Sequence, residues 1–329
     1  MRCRLSPLWL LAVLLLVASG CGEQRPEPSI GAGVEFEEKK PSNTALNYEL
    51  VDTLSPGIEK LRAVDVAGPG TIYAAGDGGV VVLDGDGTVA DRWRTEGPVH
   101  CVDVGADGTV YTGLETKVIA YSPDGTEQTS WGSAGDGRGE LGYVTDLAVS
   151  DGYIYVADSG NCVVHRFTVD GDFVENIGEG GDGGESGLVC PSFSLECEVA
   201  EDGELYVVNI GRLRIEKYDR NAQLKEFWGS FGPAPENFVG CCNPVSICLM
   251  PQDRLATAEK GIARVKIYSR GGEMLDYFES DMFAAEKTDL DLAADREGTL
   301  YVADPGDGTI KLFRQPEQAG PAGRSGGKE

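Results

Sequence analysis

Histidine is nearly missing from this chain: 329 residues contain two, His100 and His165, and there is no C-x-x-C pair. A zinc site built on several imidazoles or on paired cysteine hooks is thereby excluded. Positive charge is scarce as well, with 28 Lys and Arg against 54 Asp and Glu and a net charge of −26. Such a surface repels phosphate backbones and anionic headgroups, so nucleic acid is not an expected partner. No long stretch repeats apolar residues at the helical period. The one long apolar run, Leu5 to Val17, is too short to span a bilayer. What remains is β-branched and aromatic residues in short alternating runs, and 46 glycines, about twice the usual share. An all-β chain with many tight turns is the expectation.

The N-terminus reads as an export signal. Arg2 and Arg4 precede the apolar run, and small residues Ala18-Ser19-Gly20 close it. Cys21 directly after them resembles the bacterial lipobox, in which that cysteine becomes the acylated first residue of the mature chain. The resemblance implies a signal peptide over 1–20, a lipid anchor on Cys21 and a membrane as partner. It also implies a place in the cell envelope outside the cytoplasm, on the outer membrane or the outer face of the cytoplasmic membrane. Cleavage removes Arg2 and Arg4 and no acid, which makes the mature chain still more negative. Residues 21–46 mix Pro, Gly and charge without apolar periodicity and read as a flexible tether; residues 316–329 read as a disordered tail.

Between these ends one unit recurs: an alternating apolar strand, a glycine turn, then an aliphatic-Tyr pair in a second strand. It appears as VDVAGPGTIYAAG (64–76), VDVGADGTVYTG (102–113), DLAVSDGYIYVAD (146–158), ECEVAEDGELYVVN (196–209), SICLMPQDRLATAE (246–259) and DLDLAADREGTLYVAD (289–304). Aligning Tyr73, Tyr111, Tyr155, Tyr206, Ala256 and Tyr301 gives spacings of 38, 44, 51, 50 and 45 residues. Six copies at that period, each with room for about four short strands, predict a six-bladed β-propeller over 47–315. The sixth copy ends at Phe313 without a fourth strand, while Asn47 to Leu54 forms an orphan strand before the first copy. The orphan is expected to complete the last blade and remove an open edge.

The segments YVADSGNCVVHRF (155–167) and WGSAGDGRGELGYVTDLAV (131–149) closely resemble the NHL repeat. The resemblance covers about residues 55–314. VVNIGRLRIEKY (207–218) and FVGCCNP with TAEKGIARVKIY (238–268) are similar to a subgroup of exported bacterial NHL proteins.

In a propeller, the links between blades and the loops between second and third strands share one face. Asn209, Arg212, Arg214, Glu259, Lys260 and Arg264 fall on that face in blades 4 and 5 and form a candidate ligand rim. Arg214 and Arg264 have a second reading, as braces for a neighbouring turn. Setting Cys3 and Cys21 aside leaves seven of the nine cysteines in an oxidising compartment, an odd number that leaves at least one unpaired. Cys101, Cys197 and Cys248 lie in strands and read as inert core residues. Cys162, Cys190, Cys241 and Cys242 lie in loops of the rim. Cys190, Cys241 and Cys242 are candidates for a disulfide, a redox pair or a soft-metal site for Cu(I), Zn or an Fe–S cluster. At least two of these three are expected to be disulfide-bonded. The innermost strands carry Asp65, Asp103, Asp146, Glu196, Glu198, Asp289 and Asp291. Hard oxygen ligands suit Ca²⁺, and Asp65, Asp103, Asp146, Glu196 and Asp289 are the candidates for a channel cation; acids there also stand where they can pair with adjacent blades.

The functional expectation is a binding or scaffold propeller that recognises an extracytoplasmic protein or small ligand through the rim of blades 3–5, with no required cofactor. A redox or metal-carrying protein using the rim cysteines is the alternative, and a lyase or hydrolase with a channel cation is the third.

Overall fold

The computed structural model describes residues 47–316, apart from 69, 151, 181–186, 280–281 and 285–288. The signal segment, Cys21, the tether and the tail beyond Pro316 lie outside the described residues. The described chain forms six four-stranded sheets, each antiparallel and in sequence order except the last. The inner strands of blades 1 to 6 are Glu59–Ala67, Cys101–Val104, Val144–Ser150, Glu196–Val199, Ser246–Met250 and Asp291–Ala294. In the sixth sheet the outer position is taken by Glu49–Leu54, which pairs with Thr309–Arg314 in the register Leu50↔Phe313 and Leu54↔Ile310. The closing strand read from the sequence is therefore present.

Burial follows position within a blade. The second strands of blades 2, 4 and 6 (Val110–Leu114, Leu205–Asn209 and Leu300–Asp304) are buried along their whole length, because adjacent blades cover both faces. The outer strand of blade 4, Leu224–Trp228, is mostly exposed, through Lys225, Glu226 and Phe227. The core is divided among the blade interfaces. Six apolar clusters each join one blade to the next, such as Tyr73, Val82, Val102 and Ile119 between blades 1 and 2.

Turn chemistry ties these interfaces together. Gly125 of blade 2 (φ +79°) lies flat on the Trp93 ring of blade 1, and a Cβ there would stand 2.4 Å from its indole nitrogen. Gly171 of blade 3 (φ +87°) covers Trp131 of blade 2 in the same way, at 2.8 Å. Each glycine thus supplies both a left-handed turn and a close approach that a side chain forbids.

Candidate functional site at the mouth of the channel

Each second strand in blades 3 to 6 ends in a residue that anchors the incoming link. Asp158 accepts from the N–H groups of Gly142 (2.7 Å) and Tyr143 (2.8 Å) and meets His165 Nε2 at 3.0 Å. Asn209 accepts from Val189 N–H at 3.1 Å, Glu259 from Val239 N–H at 3.1 Å, and Asp304 from Ala284 N–H at 2.7 Å. The cations of the third strands pair with them: Lys266 with Glu259 at 3.1 Å and Lys311 with Asp304 at 2.6 Å. Burial pushes the Asp158 carboxyl up, but His165 and the three N–H donors of Gly142, Tyr143 and Asn161 outweigh it, and the pKa falls to about 2. Burial in turn brings Lys266 down to about 8 against the pull of Glu259.

This arrangement accounts for the rim residues singled out in the sequence. Asn209 and Glu259 are fully buried, Arg264 is 2% exposed and Arg214 9% exposed. Arg214 donates to Glu216 at 2.7 Å and covers the Phe227 ring, while Arg264 meets Glu279 at 2.6 Å and covers Tyr277. Arg212 donates to the Gly187 carbonyl at 3.1 Å. Lys260 holds Asn243 through its backbone and Asp289 through its ammonium, at 3.3 Å. The buried members brace links and hairpins, the second of the two readings given for the arginines, and do not present a ligand surface.

The cysteines do not assemble as one group. Cys190 forms a disulfide with Cys162 of blade 3 (Cα–Cα 5.6 Å), whereas Cys241 and Cys242 are free thiols. One of the three is bonded where at least two were expected, because the cysteine nearest Cys190 belongs to the blade 3 loop. Among the described residues, no group of three or more His, Cys, Asp and Glu side chains is placed to hold a metal ion.

The acids of the inner strands meet around the axis, where Asp65, Asp103, Asp146, Glu196, Glu198 and Asp291 line a cavity of about 150 Å³. Asp289 stands apart at the mouth above them. Each strand braces the next blade. Asp65 accepts from Val104 N–H (2.8 Å), Asp103 from Val149 (2.6 Å), Asp146 from Cys197 (2.9 Å) and Asp291 from Val64 (2.8 Å). Glu198 accepts from Leu249 N–H, and Ser246 Oγ donates to Asp291 at 3.1 Å, so the ring passes through all six blades. Burial, and then the charge of like neighbours, pushes Asp65, Asp146, Glu196 and Glu198 well above the carboxylate range; burial alone drives Asp291 to about 6. Apart from Glu196, these acids accept backbone N–H groups across blade boundaries, so the ring braces each blade to the next.

Above this ring, on the link face, lies a cavity of about 470 Å³. Its walls come from residues at or just before the starts of inner strands: Lys60 and Arg62 of blade 1, His100 of blade 2, Tyr143 and Thr145 of blade 3, Phe193 of blade 4 and Asp289 of blade 6. The rings of His100, Tyr143 and Phe193 form a row, with centroids 5.0 Å and 4.9 Å apart. Tyr143 is fixed by its N–H to Asp158, and His100 Nδ1 lies 2.9 Å from the Val144 carbonyl, so that nitrogen carries the hydrogen. Phe193 is 70% exposed, a large apolar surface held open at the mouth. A broader cleft of about 700 Å³ at the other mouth has no aromatic residue among those lining it. Sequence reading missed the aromatic row. His100 and Tyr143 stand directly before their inner strands, whereas Phe193 stands three residues ahead of Glu196, so the row shares no common position in the links.

No protein-family model matches the chain, and neither does any curated protein sequence. Among solved structures it is similar to virginiamycin B lyase from Staphylococcus aureus, at 15% identity over 81% of this chain and 99% of that one, with a TM-score of 0.57. It is also similar to a streptogramin B lyase (13% identity, 84% and 100% covered, TM-score 0.58) and to the WD40 β-propeller domain of Doa1 (13%, 82% and 98%, 0.55). At such identities the likeness speaks for the fold alone, and with the six closed sheets it makes this chain a six-bladed β-propeller.

Proposed function

We propose that this protein is a lipid-anchored, NHL-type binding propeller of the cell envelope that captures a small ligand at the channel mouth. The observation that carries the reading is the aromatic row His100–Tyr143–Phe193 along a cavity of about 470 Å³. That volume falls within the ordinary range of ligand pockets, and exposed aromatic rings beside a few polar groups are what such pockets use. The NHL assignment rests on the segments at 131–149 and 155–167, and the anchor on Ala18-Ser19-Gly20-Cys21. Ligand-observed NMR with a panel of aromatic fragments tests the site. Hits should compete with one another and disappear together in Tyr143→Ala and Phe193→Ala proteins of unchanged melting temperature. Hits indifferent to both changes, or an absence of hits, would remove the mouth from consideration. Changing Cys21→Ser should release the protein from membranes; normal processing and retention would refute the anchor.

A lyase or hydrolase reading is favoured by one feature, His100. Its Nδ1–H is engaged by Val144, which leaves Nε2 as the basic nitrogen of a ring that lines the cavity.

A further inference from the structure

The charges around the mouth cavity are unequally compensated. Lys60 and Arg62 both turn to Asp77, at 3.0 Å and 2.7 Å. Lys260 and Asp289 neutralise one another at 3.3 Å. Glu196 differs from all of these: it lines both the mouth cavity and the axial cavity below, and among the described residues no donor bonds its carboxylate. A carboxyl group at the floor of an aromatic-walled cavity, above a ring of further acids, is a site for a positive charge. We infer that the mouth cavity binds an organic ammonium ion whose charged head rests on Glu196 and whose apolar body lies against Tyr143 and Phe193. This deepens the binding reading above and rests on it.

The surroundings of Glu196 make binding release a proton. Burial, then Asp146 and Asp291 of the channel and Asp289 of the mouth, raise Glu196 well above its usual range. The remaining charged or titratable side chains lining the mouth are Lys60, Arg62, His100 and Tyr143. An arriving ammonium takes the place of the proton on Glu196, which passes to solvent. Affinity therefore rises with pH, by up to about tenfold per unit while Glu196 is protonated in the free protein. The net charge of −26 concentrates cations near the surface and speeds their arrival.

Calorimetric titration with benzyltrimethylammonium, benzyl alcohol and phenylacetate at pH 6 and pH 8 tests the inference. The cation should bind at least tenfold more tightly than the alcohol at pH 8, more weakly at pH 6, and with proton release measured across buffers of different ionisation heat. Glu196→Gln should abolish the preference for the cation and the proton release while leaving alcohol binding intact. Equal binding of cation and alcohol, tighter binding of phenylacetate, or a preference unchanged in Glu196→Gln would overturn the cation assignment and leave the cavity reading standing. If none of the three binds, both fall.

Discussion

Two sets of acidic side chains do the same mechanical job at different radii of the propeller, and one member of each, Asp158 and Asp291, ends in the opposite electrostatic state. On the link face, Asp158 and Asp304 accept backbone N–H groups and also hold a cationic or imidazole partner from the third strand. Around the axis, Asp65, Asp103, Asp146 and Asp291 accept backbone N–H groups of the next blade and have mainly one another as charged company. The first environment brings Asp158 down to about 2, while the second pushes Asp291 up to about 6. Backbone hydrogen bonds favour the charged form in both places. What separates Asp158 from Asp291 is the neighbour, since burial opposes ionisation at both and wins at Asp291, where no cation is supplied; at Glu259 burial wins even beside Lys266.

The largest effect should come from breaking the link-face set. Replacing Asp158 by Ala strips two link N–H groups of their acceptor and leaves His165 buried without its partner. A loss of about 3–5 kcal/mol is expected in chemical denaturation. A loss under 1 kcal/mol would mean the links hold themselves.

The second effect is a dependence of stability on pH with opposite signs for Asp158 and Asp291. Asp291 ionises near pH 4 when unfolded and near 6 when folded, so its contribution is complete below pH 4 and is lost as pH rises through 6. That loss is about 3 kcal/mol, and Asp291→Asn should remove it. Asp158 acts the other way: its contribution is present above pH 4 and lost as pH falls through 2. Stability unchanged between pH 4 and pH 8, with and without Asp291→Asn, would break the comparison.

The smallest effect concerns thiols. Cys241 on the link face is exposed, whereas Cys101, Cys197 and Cys248 sit in the inner strands, with thiols that burial raises well above their usual range. Alkylation of native protein should mark Cys241 first and leave the three channel cysteines untouched until unfolding. Labelling of Cys248 at the rate of Cys241 would show that the channel opens.

The fold was legible because its signals are local and repeated. Tyr73, Tyr111, Tyr155, Tyr206 and Tyr301 recur with the same flanking turns, and Glu49–Leu54 stood out as a strand without a partner. The face carrying the links was placed correctly for the same reason. The site was less legible, because it is built from single residues contributed by five blades. His100, Tyr143 and Phe193 belong to links of unequal length, so nothing in a linear pattern marks them as neighbours. Unusual residues drew attention instead, and the most unusual among them, Arg214, Glu259 and Arg264, turned out to be buried supports. The pairing of Cys162 with Cys190 was hidden likewise, since the bond joins a hairpin to a link 28 residues further on.

The strand that completes the sixth blade also sets a timetable. Leu50 is among the first residues of the propeller to be made, and its partner Phe313 is among the last. Until the chain is finished, the Glu49–Leu54 segment has no sheet to join and the growing arc of blades ends in two unpaired edges. Blades can form one by one during synthesis, but the circle closes in a single late event that joins the two ends of the domain. A chain arrested before Thr309 would hold five finished sheets and still lack a sealed ring, and quality control acting on open strand edges would see it as unfinished.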